Sequence, residues 1–359
     1  MGIGIAEMVS DIEIRDYRGD FQDVAQLACR AWNRDYHGSM WFPIWDAGFF
    51  RWQIEEQSRL ALAAYDGARL VGTFFAVPHV LRMGAATHPI GLASWCTVDP
   101  EYRSRRLVLP LIAALRRRHQ ELGLVFSLGV VSAVETSRAH RFWRQYAETF
   151  PQDLRFLFPV RFWIKVLSPR KMARAALAGW ERTALRVGGP LIRFVSRRAA
   201  AEVRAYHPAD LERCAHIIER SSARCEWALQ WPPHRLAPQL ASPASGTLVF
   251  ERRGKVEGLV NYHYTSMQGR EALHTAIIDL WGSDGLSLAE QTRFISKVCN
   301  ILRAQGVDLV LALRSAVMPS PALLANLFIP QPAHAHMVAL FPRNGVRLTS
   351  PGTWNLLLR

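Results

Sequence analysis

Leu92-Ala-Ser-Trp-Cys96-Thr-Val98-Asp-Pro100-Glu-Tyr102-Arg103-Ser104-Arg105-Arg106-Leu107-Val108 decides how the first half of the chain is read. Leu92–Val98 is a short apolar run bounded by turn residues, the pattern of a buried strand. Pro100 marks the turn that follows. Leu109–Leu122 then repeats apolar residues at helical spacing, with Pro110 in the first turn, where a missing N–H costs nothing. Val125–Val130 reads as a second strand. The unit is therefore strand, basic turn, helix, strand.

Upstream lies a hairpin. Leu60-Ala-Leu-Ala-Ala-Tyr-Asp66-Gly67-Ala-Arg-Leu-Val-Gly-Thr-Phe-Phe-Ala places Asp-Gly between two apolar runs, and glycine supplies the positive φ that such a turn needs. Before it, Glu13-Ile14-Arg15-Asp16-Tyr17 precedes a helix expected over Phe21–Trp32, started by Asp20. The same order recurs 189 residues later, in Glu202-Val203-Arg204-Ala205-Tyr206. There follow a helix over Leu211–Ser221, a hairpin turning at Arg253-Gly254, a strand Ala276–Trp281, a helix Leu288–Ala304 and a strand Leu309–Leu313. A chain of 359 residues suits two such units. The expected domains are 1–164 and 201–359, joined by a connector at 165–200.

That connector holds most of the net charge of +14. Residues 1–150 carry 17 Lys/Arg against 16 Asp/Glu, residues 151–200 carry 11 against 2, and residues 201–359 carry 16 against 12. A basic segment between two nearly balanced blocks points to an anionic partner at one place. Ser168-Pro169 reads as a helix start, and Met172, Ala176, Trp180, Ala184 and Val187 recur at helical spacing. The helix is expected to stop at Gly188-Gly189-Pro190. Across 165–198, basic and apolar residues alternate as in a segment that lies on a membrane surface or packs between two lobes.

The rest of the composition excludes several classes. Half the residues are hydrophobic and 21% are charged, which is globular and not disordered or collagen-like. No apolar run reaches the ~18 residues of a membrane span. The opening Met1–Asp16 is soon acidic and does not read as a secretory signal, and Ala6 departs from an N-myristoylation pattern. The five cysteines are scattered and never in CxxC, which suits a reduced, cytoplasmic protein without a cysteine metal site. His334 and His336 share a strand face but have no third ligand near them in sequence, so no metal is expected.

The order β-α-β-β-β-α-β, with Val98-Asp-Pro100-Glu-Tyr102-Arg103-Ser104-Arg105-Arg106-Leu107-Val108 at its centre, resembles the GNAT family of N-acyltransferases, here in tandem. The resemblance implies an α/β fold (α+β mixed sheet): two GNAT-like domains, each a mostly antiparallel central sheet flanked by helices. In that family the turn binds the pyrophosphate of an acyl-CoA on backbone N–H groups and the positive end of the helix dipole. The implied cofactor-binding residues are Cys96 and Val98 through their backbone, then Arg103, Ser104, Arg105, Arg106, Leu107 and Val108, with Thr136 beyond the next strand. Ser104, Arg106 and Val108 stand where the family prefers small residues, mostly glycine. The second copy has Leu280-Trp-Gly282-Ser-Asp284-Gly285 at the equivalent turn, without arginine and with a carboxylate that repels phosphate. It reads as degenerate.

The resemblance also places Thr136-Ser-Arg-Ala139-His-Arg-Phe142-Trp143 on a family segment in which a tyrosine often protonates the leaving thiolate. Trp143 occupies that position, and an indole N–H cannot serve as an acid. Tyr146, one helical turn on, is the substitute candidate or a packing residue. Glu135 and His140 are candidate bases, or a solvated helix-start carboxylate and a surface histidine. The aromatic cluster from Trp32 to Trp52 is a core or an acceptor wall. The expected activity is N-acyl transfer from acetyl-CoA or another acyl-CoA to a small-molecule amine, without metal. An acyl carrier protein as donor stays open, because such carriers are acidic. So does an inactive binding module at a membrane. Nucleic acid is the partner that the sequence favours least.

Overall fold

The computed structural model describes residues 12–54, 60–192, 201–342 and 348–357. The first half runs β1 (Ile12–Asp16), α1 (Phe21–Tyr36), β2 (Phe42–Ile44), α2 (Ala47–Ile54), β3 (Ala61–Asp66), β4 (Arg69–Met83), β5 (Ala86–Val98), α3 (Val108–Glu121), β6 (Phe126–Ser132), α4 (Arg138–Thr149) and β7 (Leu154–Val166). Two connector helices follow, α5 (Pro169–Ala175) and α6 (Gly179–Ile192). The second half runs β8 (Val203–Ala205), α7 (Leu211–Ser222), β9 (Trp227–Leu229), α8 (Pro233–Ala241), β10 (Ser245–Arg252), β11 (Lys255–Gln268), β12 (Ala272–Ser283), α9 (Leu288–Ala304), β13 (Leu309–Leu313), α10 (Ser320–Ala325), β14 (Ile329–Leu340) and β15 (Trp354–Asn355).

The helix starts are chemical. Asp20 accepts from the Gln22 N–H at 3.0 Å, and Ser137 accepts from the His140 N–H at 3.1 Å. Ser287 and Glu290 form a capping box at the start of α9. Both hairpin turns bend where the sequence places them, at Gly67 with φ 58° and at Arg253-Gly254 with φ 53° and 75°.

One sheet runs through both halves in the order β1-β3-β4-β5-β6-β14-β7-β13-β12-β11-β10-β8. The halves exchange their last strands. β14, from the second half, lies antiparallel to β6, while β7, from the first half, lies antiparallel to β13. β7 and β14 then pair with each other at the centre. The largest core follows from this exchange, since Leu92, Phe126 and Leu128 share it with Ile217, Leu236 and Leu280. Burying each such side chain stabilises the fold by about 2 kcal/mol.

The connector differs from its sequence reading. The helical pattern breaks at Ala176, not at Gly188-Gly189-Pro190, and α6 continues through those three residues. Packing explains the glycine there. A Cβ on Gly189 would come within 2.8 Å of the Pro169 Cβ, so glycine lets α6 fold back against the start of α5. Residues 193–198 of the expected surface segment lie outside the described residues. Among the described residues, no helix is long and apolar enough to cross a membrane.

Candidate active site

β5 and β6 pair in parallel from Ile90↔Phe126 to Ala93↔Gly129 and no further. Beyond Ala93 the two strands diverge, because β6 continues against β14 while β5 continues against β4. Here β5 also carries a bulge on its paired edge, against β4. Ser94 pairs with Phe75 and Thr97 with Thr73, so Trp95 and Cys96 together face one residue of β4. Trp95 takes φ 54° there, and its carbonyl accepts the Thr73 hydroxyl at 2.9 Å. The main chain of 94–98 thus has a ladder partner on one side only. Its other edge faces a cleft.

A 3-10 turn, Pro100–Arg105, closes the end of the strand. Asp99 anchors it by accepting from the Glu101 N–H at 3.1 Å and from Arg69 at 3.1 Å. Burial works to raise the Asp99 carboxyl, but these donors and Arg30 outweigh it and hold the group below the usual range. Tyr102 donates to Asp66 at 2.7 Å. Arg106 then adopts the left-handed conformation, φ 54° and ψ 32°, which glycine would adopt without strain. Right-handed residues on both sides of it make a concave arrangement of N–H groups. Among the described residues, the Leu107 and Val108 N–H groups donate to no backbone acceptor. They lie at the positive end of α3.

A cavity of about 570 Å³ opens between these parts. Its lining includes Ala31, Trp32, Asp35 and Tyr36 from α1, Cys96–Val98 from β5, Arg103 and Arg106–Leu109 from the turn and α3, and Arg138, Phe142, Trp143 and Tyr146 from α4. The charges are arranged unequally. Arg103 makes a bidentate pair with Asp35, 2.7 Å on each arm, and also reaches the Ala31 carbonyl. Arg106 and Arg138 are exposed and make no ion pair among the described residues.

Of the residues expected from sequence, Cys96, Val98, Arg103, Arg106, Leu107, Val108 and Tyr146 meet in this cavity. Ser104, Arg105, Thr136 and Glu135 are exposed and are not among its lining residues. Arg105 stacks over Tyr102 and lies 3.9 Å from Asp66. Glu135 and Thr136 sit in the turn after β6. The His140 ring nitrogen Nδ1 is bound to the Ser132 carbonyl at 2.8 Å. Burial pushes the Cys96 thiol up to about 12, which keeps it neutral and unreactive. The Tyr146 hydroxyl faces Asp153 at 3.4 Å, and Asp153 is itself held by Arg116 at 2.6 and 2.7 Å. Burial first, then the Asp153 charge, pushes this phenol up to about 12.

Two charged lining residues, Arg138 and Asp35, had no assigned role in the sequence reading. Arg138 follows the Ser137 cap and so sits at the start of α4, where a cation opposes the helix dipole. Asp35 stands near the end of α1, where an acid is equally misplaced. Both are unfavourable as helix residues and useful only to something outside the helix, which was the available signal.

In the second half the equivalent positions hold paired carboxylates. Asp284, in the equivalent turn, pairs with Arg213 at 2.6 Å and Arg220 at 2.8 Å. Asp279, where β12 leaves β13, binds His263 at 2.8 Å inside a buried network with Gln239 and Asn261.

No family model and no curated protein sequence matches the chain. Solved structures do match it. A Saccharomyces cerevisiae N-myristoyltransferase structure with bound myristoyl-CoA superposes with a TM-score of 0.74 at 15% identity, over 95% of this chain and 84% of that one. A second structure of that enzyme gives 0.75 at 14%, over 97% and 85%. A GCN5-related N-acetyltransferase from Kribbella flavida gives 0.50 at 16%, over 92% and 70%. What is shared at such identities is the fold: the chain is a tandem GNAT fold with the overall architecture of N-myristoyltransferase.

Proposed function

We propose that this protein is an N-acyltransferase that moves an acyl group from acyl-CoA to an amine in a ternary complex. One observation carries this reading. The unladdered edge of β5, the free N–H groups of Leu107 and Val108, and the unpaired Arg106 and Arg138 converge on a single cavity. Donors at a helix start suit a pyrophosphate, and a free strand edge suits the amides of a pantetheine arm. No glycine is needed, because Arg106 itself takes the left-handed conformation.

The transfer follows from that placement. The β5 edge aligns the thioester and offers N–H groups to its carbonyl oxygen as charge develops there. The neutral amine attacks the carbonyl carbon, the C–S bond breaks and the C–N bond forms. The amine's proton leaves through water and the thiolate is protonated from solvent. Tyr146 serves as a wall and as an anchor for Asp153, since a phenol raised to about 12 is a poor acid for a thiolate. Glu135 lies outside the cavity and takes no part.

The apolar walls, Val98, Leu107, Phe142 and Trp143 among them, suit donors from acetyl upward. The solved N-myristoyltransferase structures contain myristoyl-CoA. The test is thiol release with acetyl-, octanoyl- and myristoyl-CoA against a panel of primary amines, with the product mass recorded. Amine-dependent release and an acylated product support the reading. Transfer only from an acylated carrier protein, or from no thioester at all, would overturn it.

A further inference from the structure

The three most exposed large apolar side chains among the described residues are on one helix. Trp180 is 73% exposed, Val187 80% and Leu191 72%, all on α6. Their spacing of seven and four residues puts them on a single helix face, and Ala184, also exposed, falls between them. The opposite face is occupied, since Leu185 is half-buried and Gly189 is buried against Pro169. The stripe is therefore an uncovered half of an amphipathic helix and not a frayed end.

One side of the stripe is basic, with Arg186 and then Arg182 next around the helix, while Glu181 lies on the other side. Arg170, Arg182 and Arg186 make no ion pair among the described residues, whereas Lys171 and Arg174 nearby are paired with Asp308 and Glu271. The acid on α6, Glu181, accepts from the Ala178 N–H at the start of the helix. The surrounding residues 151–200 carry 11 Lys/Arg and 2 Asp/Glu.

We propose that α6 docks this protein on an anionic lipid surface, with Trp180, Val187 and Leu191 inserted below the headgroups and Arg170, Arg182 and Arg186 held at the phosphates. A tryptophan at the end of an apolar stripe, with arginines along one side, matches the boundary between acyl chains and headgroups. The charge complementarity selects anionic over neutral lipid. The docking is independent of the acyl-transfer reading, because none of these side chains lines the cavity.

The test is sedimentation of the full chain with vesicles of phosphatidylcholine alone or mixed equally with phosphatidylglycerol. Binding is expected to the anionic vesicles only and to weaken with salt. Val187→Asp with Leu191→Asp should reduce partitioning at least tenfold, and Arg182→Glu with Arg186→Glu by about fivefold or more per arginine. All four side chains are on the surface or its edge, so circular dichroism and acyl-CoA affinity should be unchanged in both variants. Failure of the wild-type chain to sediment with anionic vesicles at low salt overturns the proposal. So does equal partitioning of the Val187→Asp, Leu191→Asp variant.

Discussion

Arg103 and Asp35 close on each other across the mouth of the cavity, each arm of the fork 2.7 Å long. Their side chains are only 18% and 15% exposed. The pair ties the end of α1 to the turn before α3, so Arg103 holds the shape of the cavity, and in the proposed reaction the anion falls to Arg106 and Arg138.

Arg103→Gln should therefore act on stability more than on binding. Losing a charge-assisted pair at this depth costs about 2 kcal/mol, readable as a shift in a urea midpoint. The KM for acyl-CoA should rise less than fivefold. A tenfold rise with unchanged stability would mean that Arg103 grips the donor directly.

Tyr146→Phe separates an acid from a wall. Its hydroxyl lies 3.4 Å from Asp153 and also interacts with Arg116, and burial first of all pushes it up to about 12. Turnover in the variant should stay within about threefold of wild type, with stability lowered by at most ~1 kcal/mol. A hundredfold loss of kcat at unchanged KM would make Tyr146 the proton donor.

His119 sets an acid limit on the fold. It is fully buried on α3, where its Nε2 meets the Ser127 hydroxyl at 3.1 Å and its Nδ1 has no partner among the described residues. Burial pushes its pKa down to about 4 from an ordinary 6.5. The unfolded chain then binds the proton more readily than the folded one between those values. Stability is fully present above 6.5 and falls as the pH drops to about 4, by on the order of 3 kcal/mol from this group. Denaturation at pH 7 and pH 4.5 should show a steeper loss for the wild type than for His119→Phe. Equal losses would exonerate the histidine.

The elements of the fold were largely legible because they rest on local chemistry. The Asp66-Gly67 and Arg253-Gly254 hairpins, the Asp20 cap and the apolar spacing of α9 each involve neighbours in sequence. The exchange of β7 and β14 was not legible, since both strands carry the same alternating pattern whichever sheet edge they join. The connector misled for a related reason. Gly188-Gly189-Pro190 reads as a stop, yet Gly189 is glycine to admit Pro169, a contact made across a turn of chain. The turn after Pro100 was legible, but not what surrounds each of its arginines. The surroundings that set Arg103, Arg105 and Arg106 apart are Asp35, Tyr102 and the left-handed φ at 106, and the first two come from elsewhere in the fold or from ring stacking that spacing does not show.

The central claim is that the cavity beside the β5 edge holds acyl-CoA through Arg106, Arg138 and the N–H groups of Leu107 and Val108. Isothermal titration with myristoyl-CoA and acetyl-CoA tests it most directly, on the wild type and on Arg106→Gly with Arg138→Ala. Glycine keeps the left-handed turn, so that variant removes charge without disturbing the backbone. One-to-one micromolar binding to the wild type, weakened at least tenfold in the variant, about 1.4 kcal/mol or more, is the predicted result. Unchanged affinity in the variant, or no binding of either thioester to the wild type, would contradict it.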